Sequence, residues 1–433
     1  MKSRPKKLSR LFANAPFNES DRYLRASVDR IIKISIGDTR WISSPEAPSG
    51  SHRRNDDATQ RTASDRVGDL LGKGPGHCAM IPRSGRFKTL GWPSEVCIWT
   101  QGNAVSKVDK STRYLKARTL DDLLRSAFQL LLAQTNRVEP SRGRMAEVLG
   151  VILELQDPRS RLSRSEGRGK PFSCLGELLW YLSKHNRLDF IQYYVPEYKK
   201  ESDDGFTVHG GYGPRMFAMR RVHNQVRNVL SLLKAKPASR QAVIQLFDAA
   251  DIAGRYKNIP CTCTLQFLIR KDRVDLITHM RSNDAYLGLP HDVFAFTMLQ
   301  ELFAVALGKK LGTYRHLIGS LHLYDRHRKK ARMYLNEGLH SHVPMPKMPS
   351  VDPWGSIDAV LRSEQTLRTT GRHLAIPPGL PAYWADLIRL LQIHKQFKQK
   401  SYQNMEMLKG RFSSRIYDTH IADLIRRAKD SIE

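Results

Sequence analysis

Cysteine is scarce in this chain, which carries five in 433 residues. The five are Cys78, Cys97, Cys174, Cys261 and Cys263. An odd number without a regular spacing is typical of a reducing compartment and argues against a disulfide-stapled secreted domain. Cys261 and Cys263 form a C-x-C pair, but no second Cys/His pair follows at the spacing of a zinc finger. No metal site is therefore predicted.

Long apolar runs are also missing. No run reaches the ~18 residues that a membrane-spanning helix needs. The basic start, residues 1–7, resembles the first part of a secretory signal, but no apolar stretch follows it. We therefore expect a cytoplasmic protein with no membrane partner.

Acidic residues are few relative to basic ones, 42 against 71, so the net charge is +29. Such an excess attracts polyanions, whether nucleic acid, an anionic membrane surface or phosphorylated metabolites. The charge alone does not distinguish among these partners. Hydrophobic residues make up 40% of the chain, which is compatible with a proper core and argues against global disorder.

Composition divides the chain into three parts. Residues 1–112 are basic and rich in proline, serine and glycine, which predicts a weakly ordered extension with at most a short strand at 31–36. Residues 113–345 carry regular apolar periodicity and are predicted to form the main domain. Residues 346–433 are predicted to be a linker, proline-rich from 344 to 349, followed by basic helices. The cations of those helices are Lys395, Lys398, Lys400, Lys409, Arg411, Arg415, Arg426, Arg427 and Lys429.

The main domain predicts a mixture of helices and strands. Thr119 is the expected N-cap of a helix over 120–132, because Asp121 and Asp122 follow it in the first turn. Strands are predicted at 145–155, 241–247, 261–268 and 275–280, of which the last two form a hairpin. Further helices are predicted at 172–182 (amphipathic), 222–233 (with Leu230, Leu232 and Leu233 buried) and 290–307 (ended by Gly308). Tight turns carrying arginine are predicted at 157–162 and 210–215.

A thiolate would be the one strong nucleophile in this sequence, and Cys261 follows Pro260 at the start of a predicted strand. A thiolate is populated at neutral pH only where its surroundings lower the thiol pKa. Three arginines at loop or strand ends, Arg215, Arg240 and Arg281, would supply positive charge there and bind a phosphate bidentately. Ser282 would add a hydroxyl donor to the same phosphate.

Acidic and aromatic residues complete the candidate site. Glu177 lies in an apolar helix, where burial would raise its pKa and suit it to proton transfer. Asp284 and Asp292 would read the edge of a base, and His322 and Tyr324, two apart on a strand, would face a sugar. Taken singly, each has an ordinary structural explanation, such as a core cysteine or a paired carboxylate. Their order and spacing favour a site.

Five segments, in this order along the chain, resemble the thymidylate synthase family, which includes the deoxycytidylate hydroxymethylases. They are Glu177 in Glu-Leu-Leu-Trp, Ser239-Arg240, Pro260-Cys261, Arg281-Ser282-Asn283-Asp284 with Leu287-Gly288-Leu289-Pro290, and His322-Leu323-Tyr324. The resemblance implies an α/β fold (α+β mixed) in three layers, with a large sheet at a homodimer interface. It makes 113–345 the catalytic domain, and Arg240 would reach the phosphate in the partner subunit's site.

The resemblance also implies a reaction. Cys261 would add to C6 of a pyrimidine nucleoside monophosphate, whose C5 would then take a methylene group from 5,10-methylenetetrahydrofolate, the co-substrate. Glu177 would assist proton transfers through water, and Asp284, Leu287 and Gly288 would bind the folate. Hydride from the folate would give a methyl product, and water would give a hydroxymethyl product.

Departures from the family pattern favour hydroxymethylation of (d)CMP. Asp292 stands where the synthases have the asparagine that reads uracil. An ionised carboxylate would accept from the cytosine amino group and repel O4 of uracil. Thr262, Gln241 and Met280 replace the usual histidine, arginine and glutamine. The family's phosphate loop near the start is not evident, and Arg159 and Arg161 are the candidates to replace it. The short apolar tail that closes over the synthase site is replaced by a stretch of about ninety residues of basic, predicted helical sequence, and the absence of that lid would admit water.

Two alternatives stay open. A thymidylate synthase that methylates dUMP to dTMP would use the same residues. A nucleic-acid-binding protein that has kept the fold would use the basic ends, since lysine and arginine contacts with phosphates give salt-dependent binding. The sequence does not distinguish a ribose from a deoxyribose.

Overall fold

The computed structural model describes residues 112–165, 167, 169–372 and 375–430, with the backbone of two short strands, β1 Val96–Ile98 and β2 Ser106–Val108. The chain divides into two units, Met1–Lys88 and Thr89–Glu433, and the description concerns the second. β1 and β2 pair antiparallel in a sheet of their own. The expected strand at 31–36 lies outside the described residues. The division into three parts stays a prediction.

A six-stranded mixed sheet, ordered β3-β4-β8-β7-β6-β5, organises the second unit. Its strands are β3 Tyr114–Ala117, β4 Met145–Leu155, β5 Val243–Gln245, β6 Thr262–Arg270, β7 Arg273–Asp284 and β8 Lys310–Tyr324. The pairs β3–β4 and β7–β8 are parallel, and the other pairs are antiparallel. With the helices below, this confirms the mixed α/β class.

The predicted hairpin is present and sets the position of Cys261. Lys271 and Asp272 form its two-residue turn with φ of +47° and +59°, the left-handed conformation whose twist matches the flanking strands. In the register of β6 and β7, Arg281 N donates to Cys261 O at 2.8 Å. The turn therefore brings Cys261 next to Arg281, although twenty residues separate them.

The α-helices of the described residues surround this sheet. They are α1 Leu120–Leu132, α2 Pro171–Leu182, α3 Leu188–Tyr194, α4 Tyr212–Phe217, α5 Gln225–Ala235, α6 Gly288–Ala306, α7 Arg328–Asn336, α8 Pro353–Thr369, α9 Ala382–Lys398, α10 Tyr402–Lys409 and α11 Asp418–Asp430. Single 3-10 turns occur at Pro196–Glu201, Ala249–Ile252, Asp325–His327 and Arg415–Tyr417. No helix of the described residues is long and apolar enough to cross a membrane.

Helix α6 is the central layer of the fold. It packs on β7 and β8, α2 packs on its other side, and α9 covers α2. Nearly every residue of α2 is buried, so the prediction of an amphipathic helix at 172–182 is wrong. The reason is that α9, far away in sequence, covers the face expected to meet water. The predicted end of α6 is confirmed, because Gly308 follows it with φ of +63°, which glycine adopts without strain.

Of the other predictions of local structure, some are confirmed and some are wrong in part. Thr119 caps α1 as predicted, accepting from Asp122 N at 3.1 Å. The turn expected at 210–215 is wrong in part, because α4 begins at Tyr212 where tertiary contacts hold Tyr212 and Arg215. The strand expected at 241–247 is shorter, since β5 is an edge strand that pairs only with β6. In α5 the buried residues are Val226, Val229 and Leu233, whereas Leu230 and Leu232 are half-buried.

The segment 344–349 is ordered against the core rather than a free linker. Met345 and Met348 are fully buried. Met345 N donates to Arg159 O at 2.8 Å, and Met348 N donates to Glu301 Oε1 at 3.0 Å. Lys395, expected on an exposed basic face, is buried in α9. Both expectations are wrong because the C-terminal helices pack onto the sheet domain.

Candidate active site

The Cys261 thiol faces one arginine. Arg281 Nη2 lies 3.9 Å from Cys261 Sγ, and the same guanidinium donates to the backbone oxygens of Pro260 (3.0 Å) and Ile259 (3.1 Å). These bonds fix the guanidinium over the sulfur. Burial nevertheless raises the pKa of the Cys261 thiol, and the charge of Arg281 offsets this only in part. The protein alone therefore does not supply the lowered pKa that the sequence predicted.

Glu177 projects from α2 into a buried hydrogen-bonded cluster. Tyr198 Oη donates to its Oε1 at 2.7 Å, and His291 Nδ1 lies 2.9 Å from its Oε2. Burial raises the pKa of Glu177, but the hydrogen bond and charge of His291 and the hydrogen bond of Tyr198 outweigh it, so the pKa is below its usual value. The expectation of a raised pKa is wrong, because no sequence pattern indicated that His291 pairs with Glu177.

His291 is the cation of this cluster. Its side chain is 15% exposed, and Ser173 Oγ lies 3.2 Å from Nε2. Burial lowers the pKa of His291, but the neighbouring Cys174 sulfur and the Glu177 carboxylate raise it more strongly, to about 10. At neutral pH the pair is thus an imidazolium in the first turn of α6 facing a carboxylate in the middle of α2.

Asp292 follows His291, and its pKa is raised whereas that of Glu177 is lowered. Asn283 Nδ2 donates to Asp292 Oδ2 at 2.7 Å. Burial and the charge of Glu177 raise the pKa of Asp292 to about 8, against the hydrogen bond from Asn283. At neutral pH the side chain is a neutral acid, which can donate one hydrogen bond as well as accept.

The carboxyl ends of β7 and β8 bring the sugar and folate candidates together. Asp284 lies opposite His322 in the parallel register, and Ala285 N donates to His322 O at 2.8 Å. His322 Nδ1 lies 3.3 Å from Ser320 O, which places the proton on Nδ1 and leaves Nε2 an acceptor. Burial lowers the pKa of His322, so the ring is neutral. The rings of His322 and Tyr324 meet edge to face at 5.1 Å.

Asp284 also organises the turn into α6. Its Oδ1 accepts from Tyr286 N (2.8 Å) and Leu287 N (3.1 Å). Leu287 is 45% exposed, and a Cβ at Gly288 would lie 3.2 Å from Asn283 Nδ2 and 3.3 Å from Asp292 Oδ2. Glycine therefore lets the start of the helix lie close to the hydrogen-bonded pair of Asn283 and Asp292. An exposed apolar residue beside a carboxylate is compatible with a flat, amine-bearing ligand such as a pterin.

The remaining phosphate candidates differ in position. Ser282 lies on β7 directly after Arg281 and is half-buried. Arg215 is buried, and its guanidinium is occupied by Asp251, at 2.7 Å and 2.8 Å, and by the backbone oxygens of Leu246 and His209. Arg240 is exposed beside the edge strand β5. Within one chain the described contacts do not bring Arg215 or Arg240 to Cys261.

The suggestion that Arg159 and Arg161 replace the phosphate loop is wrong. Arg161 is fully buried and pairs with Glu301 on α6. Arg159 lines a cavity at the far end of the strands. Arg142 is a better-placed candidate, since its charge acts on Cys261, His322 and Tyr324, although its Nη2 also pairs with Glu201 Oε2 at 2.6 Å. Arg142 follows Ser141 and precedes Gly143 just before β4, and this arginine-bearing turn was the available signal.

Sequence reasoning also missed three groups that contact the predicted residues. His291 and Tyr198 hold Glu177, and Tyr212 Oη lies 2.9 Å from Thr262 Oγ1 and accepts from Thr262 N at 3.2 Å. Tyr212 thus fixes Thr262, the residue directly after Cys261. Only His291, directly before Asp292, lay next to a residue already singled out.

Comparison with known proteins agrees with this geometry. Residues 170–359 match the thymidylate synthase family model, so this part of the chain is similar to that family. The matched range includes Glu177, Cys261 with the hairpin of β6 and β7, and the end of β8. The resemblance inferred from the five segments is therefore confirmed.

Three curated relatives share the name deoxyuridylate hydroxymethyltransferase. Over 188 residues the chain is 31% identical to a deoxyuridylate hydroxymethyltransferase of Delftia phage PhiW-14, covering 40% of this chain and 52% of that protein. It is 31% identical over 198 residues to the protein so named in Bacillus phage SP01, with 43% and 52% covered. A third, from Pseudomonas phage M6, is 28% identical over 247 residues, with 55% and 70% covered. The chain spans about half the length of the first two relatives.

Proposed function

We propose that this protein transfers a one-carbon unit from 5,10-methylenetetrahydrofolate to C5 of a pyrimidine nucleoside monophosphate, through a covalent adduct between Cys261 and C6. The observation that carries the proposal is the Cys261 sulfur held 3.9 Å from Arg281 Nη2. The family match, which spans Cys261, Glu177 and Asp292, supports it. The names of the relatives support a hydroxymethyl product.

The first step needs the Cys261 thiolate. Arg281 stabilises the charge on sulfur, and its remaining donor capacity, with Ser282 and Arg142, would bind the phosphate of the nucleotide. Addition of sulfur to C6 leaves C5 nucleophilic, and the folate supplies the electrophilic methylene group. Asp284, Leu287 and Gly288 would hold the folate, while His322 and Tyr324 would bind the sugar through a neutral imidazole nitrogen and a phenol.

Glu177 and His291 would carry the later proton transfers. A carboxylate has about four lone-pair sites, so Glu177 still accepts from a water after bonding Tyr198 and His291. Because His291 keeps it ionised, Glu177 can take the C5 proton through that water. As C5 loses this proton, the bond between the methylene carbon and the folate nitrogen breaks, tetrahydrofolate leaves and takes up the proton, and an exocyclic methylene remains on C5. Glu177, ionised again, then takes a proton from a second water whose oxygen adds to the methylene carbon, after which the thiolate leaves C6 and the C5–C6 double bond forms again. This ionised pair favours the hydroxymethyl product over the methyl product.

Asp292 would read the base as a neutral acid. Its hydroxyl would donate to N3 of cytosine and its carbonyl would accept from the 4-amino group, which favours (d)CMP. The same neutral acid can also donate to O4 of uracil and accept from N3–H, so the raised pKa weakens the discrimination expected from an ionised carboxylate. Deoxyuridylate is therefore the second candidate, favoured by the names of the relatives.

The test is the product formed from each nucleotide. Purified protein is incubated with methylenetetrahydrofolate and CMP, dCMP or dUMP, and the base is identified by mass spectrometry. A hydroxymethylated cytosine nucleotide is expected, and Cys261→Ser should abolish its formation while leaving thermal unfolding unchanged. Methylated uracil with no cytosine product would contradict the preferred substrate. Undiminished turnover by the serine variant would contradict the nucleophile.

A homodimer is proposed on the open face of the sheet. Leu149 on β4 is 62% exposed, and Ile152, Leu268, Ile277 and Leu317 are half-buried on neighbouring strands. An apolar sheet face of this kind is expected to be covered, and Arg240 beside β5 is then available to a second subunit. Light scattering should give twice the chain mass, and Leu149→Asp should give a monomer. A monomeric parent protein would refute the interface. Nucleic-acid binding through the basic ends stays a prediction.

A further inference from the structure

A second cavity, of about 680 Å³, lies at the opposite end of the strands from Cys261. It forms where β4 ends, where β7 and β8 begin, and where α6 ends. Between Lys310 at its rim and His322 at the active site, β8 runs for twelve residues, or roughly 40 Å at 3.3 Å per residue. The two sites therefore share strands but no side chains.

Six cations line this cavity: Arg118, Arg159, Arg273, Lys309, Lys310 and Lys347. Lys309 pairs with Asp272 at 2.7 Å. Within the part of the chain that the structure describes, the other five have no carboxylate partner. Unpaired cations around a concave surface focus the field and raise the local concentration of anions.

The two acidic residues of the lining do not cancel this charge. Glu301 is buried and bound to Arg161 and to Met348 N. Asp157 accepts from Ser160 Oγ at 3.0 Å and lies 3.0 Å from His342 Nε2. Each carboxylate is thus already bound to other groups of the protein. No ion pair of the described residues neutralises the other five cations, although the charge of Asp272 also acts on Lys310 and Arg273.

One wall of the cavity is apolar, formed by Pro158, Ala304, Val305, Leu311 and Met348. A site that combines several cations with an apolar wall suits a ligand with a phosphate chain and a flat organic group. The volume lies within the range of small-molecule pockets. Five unpaired cations exceed the two charges of a monophosphate and match a triphosphate better, and arginine forks bind phosphate oxygens bidentately.

We propose that this cavity is a second ligand site that binds a nucleoside triphosphate, separate from the Cys261 site. The phosphates lie between Arg159, Arg273 and Lys347, and the base lies against Pro158 and Val305. The site requires no chemistry, so its occupation is independent of one-carbon transfer.

The test is binding of ATP to the full-length chain by calorimetry at fixed ionic strength, with saturating dCMP present to occupy the Cys261 site. The double variant Arg159→Ala/Lys347→Ala removes one arginine and one lysine from the cavity. The matched control Arg227→Ala/Lys234→Ala removes the same charges from exposed positions on α5. We expect the cavity variant to bind ATP at least about tenfold more weakly, because each charged contact is lost, and the control to bind as the parent does.

Three outcomes would overturn the proposal. The parent chain could fail to bind ATP, or the two double variants could weaken binding equally, in which case the interaction reflects diffuse positive charge. The cavity variant could also lose affinity for a random DNA duplex while its ATP affinity is unchanged, in which case the surface binds a nucleic-acid backbone. Thermal unfolding of both variants checks that each is folded, and a crystal soaked in ATP with density between Arg159 and Lys347 would support the assignment directly.

Discussion

Replacing His291 by glutamine should move the acid limb of the pH–activity profile to higher pH. His291 lies 2.9 Å from Glu177 Oε2, and glutamine can keep a hydrogen bond there but carries no charge. Burial, which raises the pKa of Glu177, is then opposed mainly by Tyr198. Glu177 should titrate above its ordinary 4.5 instead of below it. A general base of this kind contributes roughly 10²–10⁴-fold to rate, so activity at mildly acid pH should fall most.

The same substitution should change stability in a defined pH window. His291 has a folded pKa of about 10 against an ordinary 6.5, so its contribution is fully present below pH 6.5 and is lost as pH rises through 10. Glu177 has a lowered pKa, so its contribution is present above 4.5 and is lost as pH falls through its folded pKa. Removing one partner of a buried pair costs about 3–5 kcal/mol, and His291→Gln should approach this between about pH 4.5 and 6.5.

Ser173→Ala is the matched control, since it removes the 3.2 Å contact to His291 Nε2 and keeps the charge. Product formation is measured between pH 5 and 10 for the parent and both variants, beside urea unfolding. We expect the alanine variant to keep the parent's acid limb. The reasoning is refuted if His291→Gln and the parent have the same acid limb, because the imidazolium would then have no effect on the pKa of Glu177.

Three further outcomes are expected. Asp292 has a raised pKa, so the fold loses stability as pH rises from 3.8 through about 8. The Asp292→Asn variant stays neutral and should therefore be more stable than the parent above pH 8 in thermal unfolding. It should also shift product formation toward uracil. Arg281→Ala should slow alkylation of Cys261 by iodoacetamide at pH 8, followed by peptide mass spectrometry, and an unchanged rate would exclude its electrostatic role. Arg161→Met should lower the free energy of unfolding by about 3–5 kcal/mol because it leaves Glu301 charged and buried, whereas adding Glu301→Leu should restore most of it.

The elements that were predicted well from the sequence are those determined by residues close together in the chain. Thr119 with two aspartates marks the start of α1, and the two strands around Lys271 and Asp272 carry their own turn. The elements predicted badly depend on distant packing. The helix at 172–182 looked amphipathic because its cover, α9, begins some two hundred residues later, and 344–349 looked like a linker although Met345 and Met348 fill core positions.

The candidate site divides along the same line. The ends of neighbouring strands hold five of the predicted residues, namely Cys261, Arg281, Asp284, His322 and Tyr324. Their positions could be predicted because strand pairing determines how these short motifs lie next to one another. The protonation states could not be read from the sequence, because they depend on contacts across the fold. Glu177 was expected to have a raised pKa and has a lowered one, since a histidine 114 positions away reaches it.

In the proposed mechanism, His291 and Asp292 couple proton transfer to the recognition of the base. Glu177 is negative, His291 is positive and Asp292 is neutral below about pH 8, so the cluster beneath the base carries no net charge. The negative charge of Glu177 raises the pKa of Asp292, and the positive charge of His291 lowers it. Any change that protonates Glu177 removes the first effect. His291→Gln removes the second effect directly, and it also removes the first at the acid pH where Glu177 becomes protonated. The choice between cytosine and uracil should therefore shift in that variant together with the pH profile, although no contact of Asp292 has been altered.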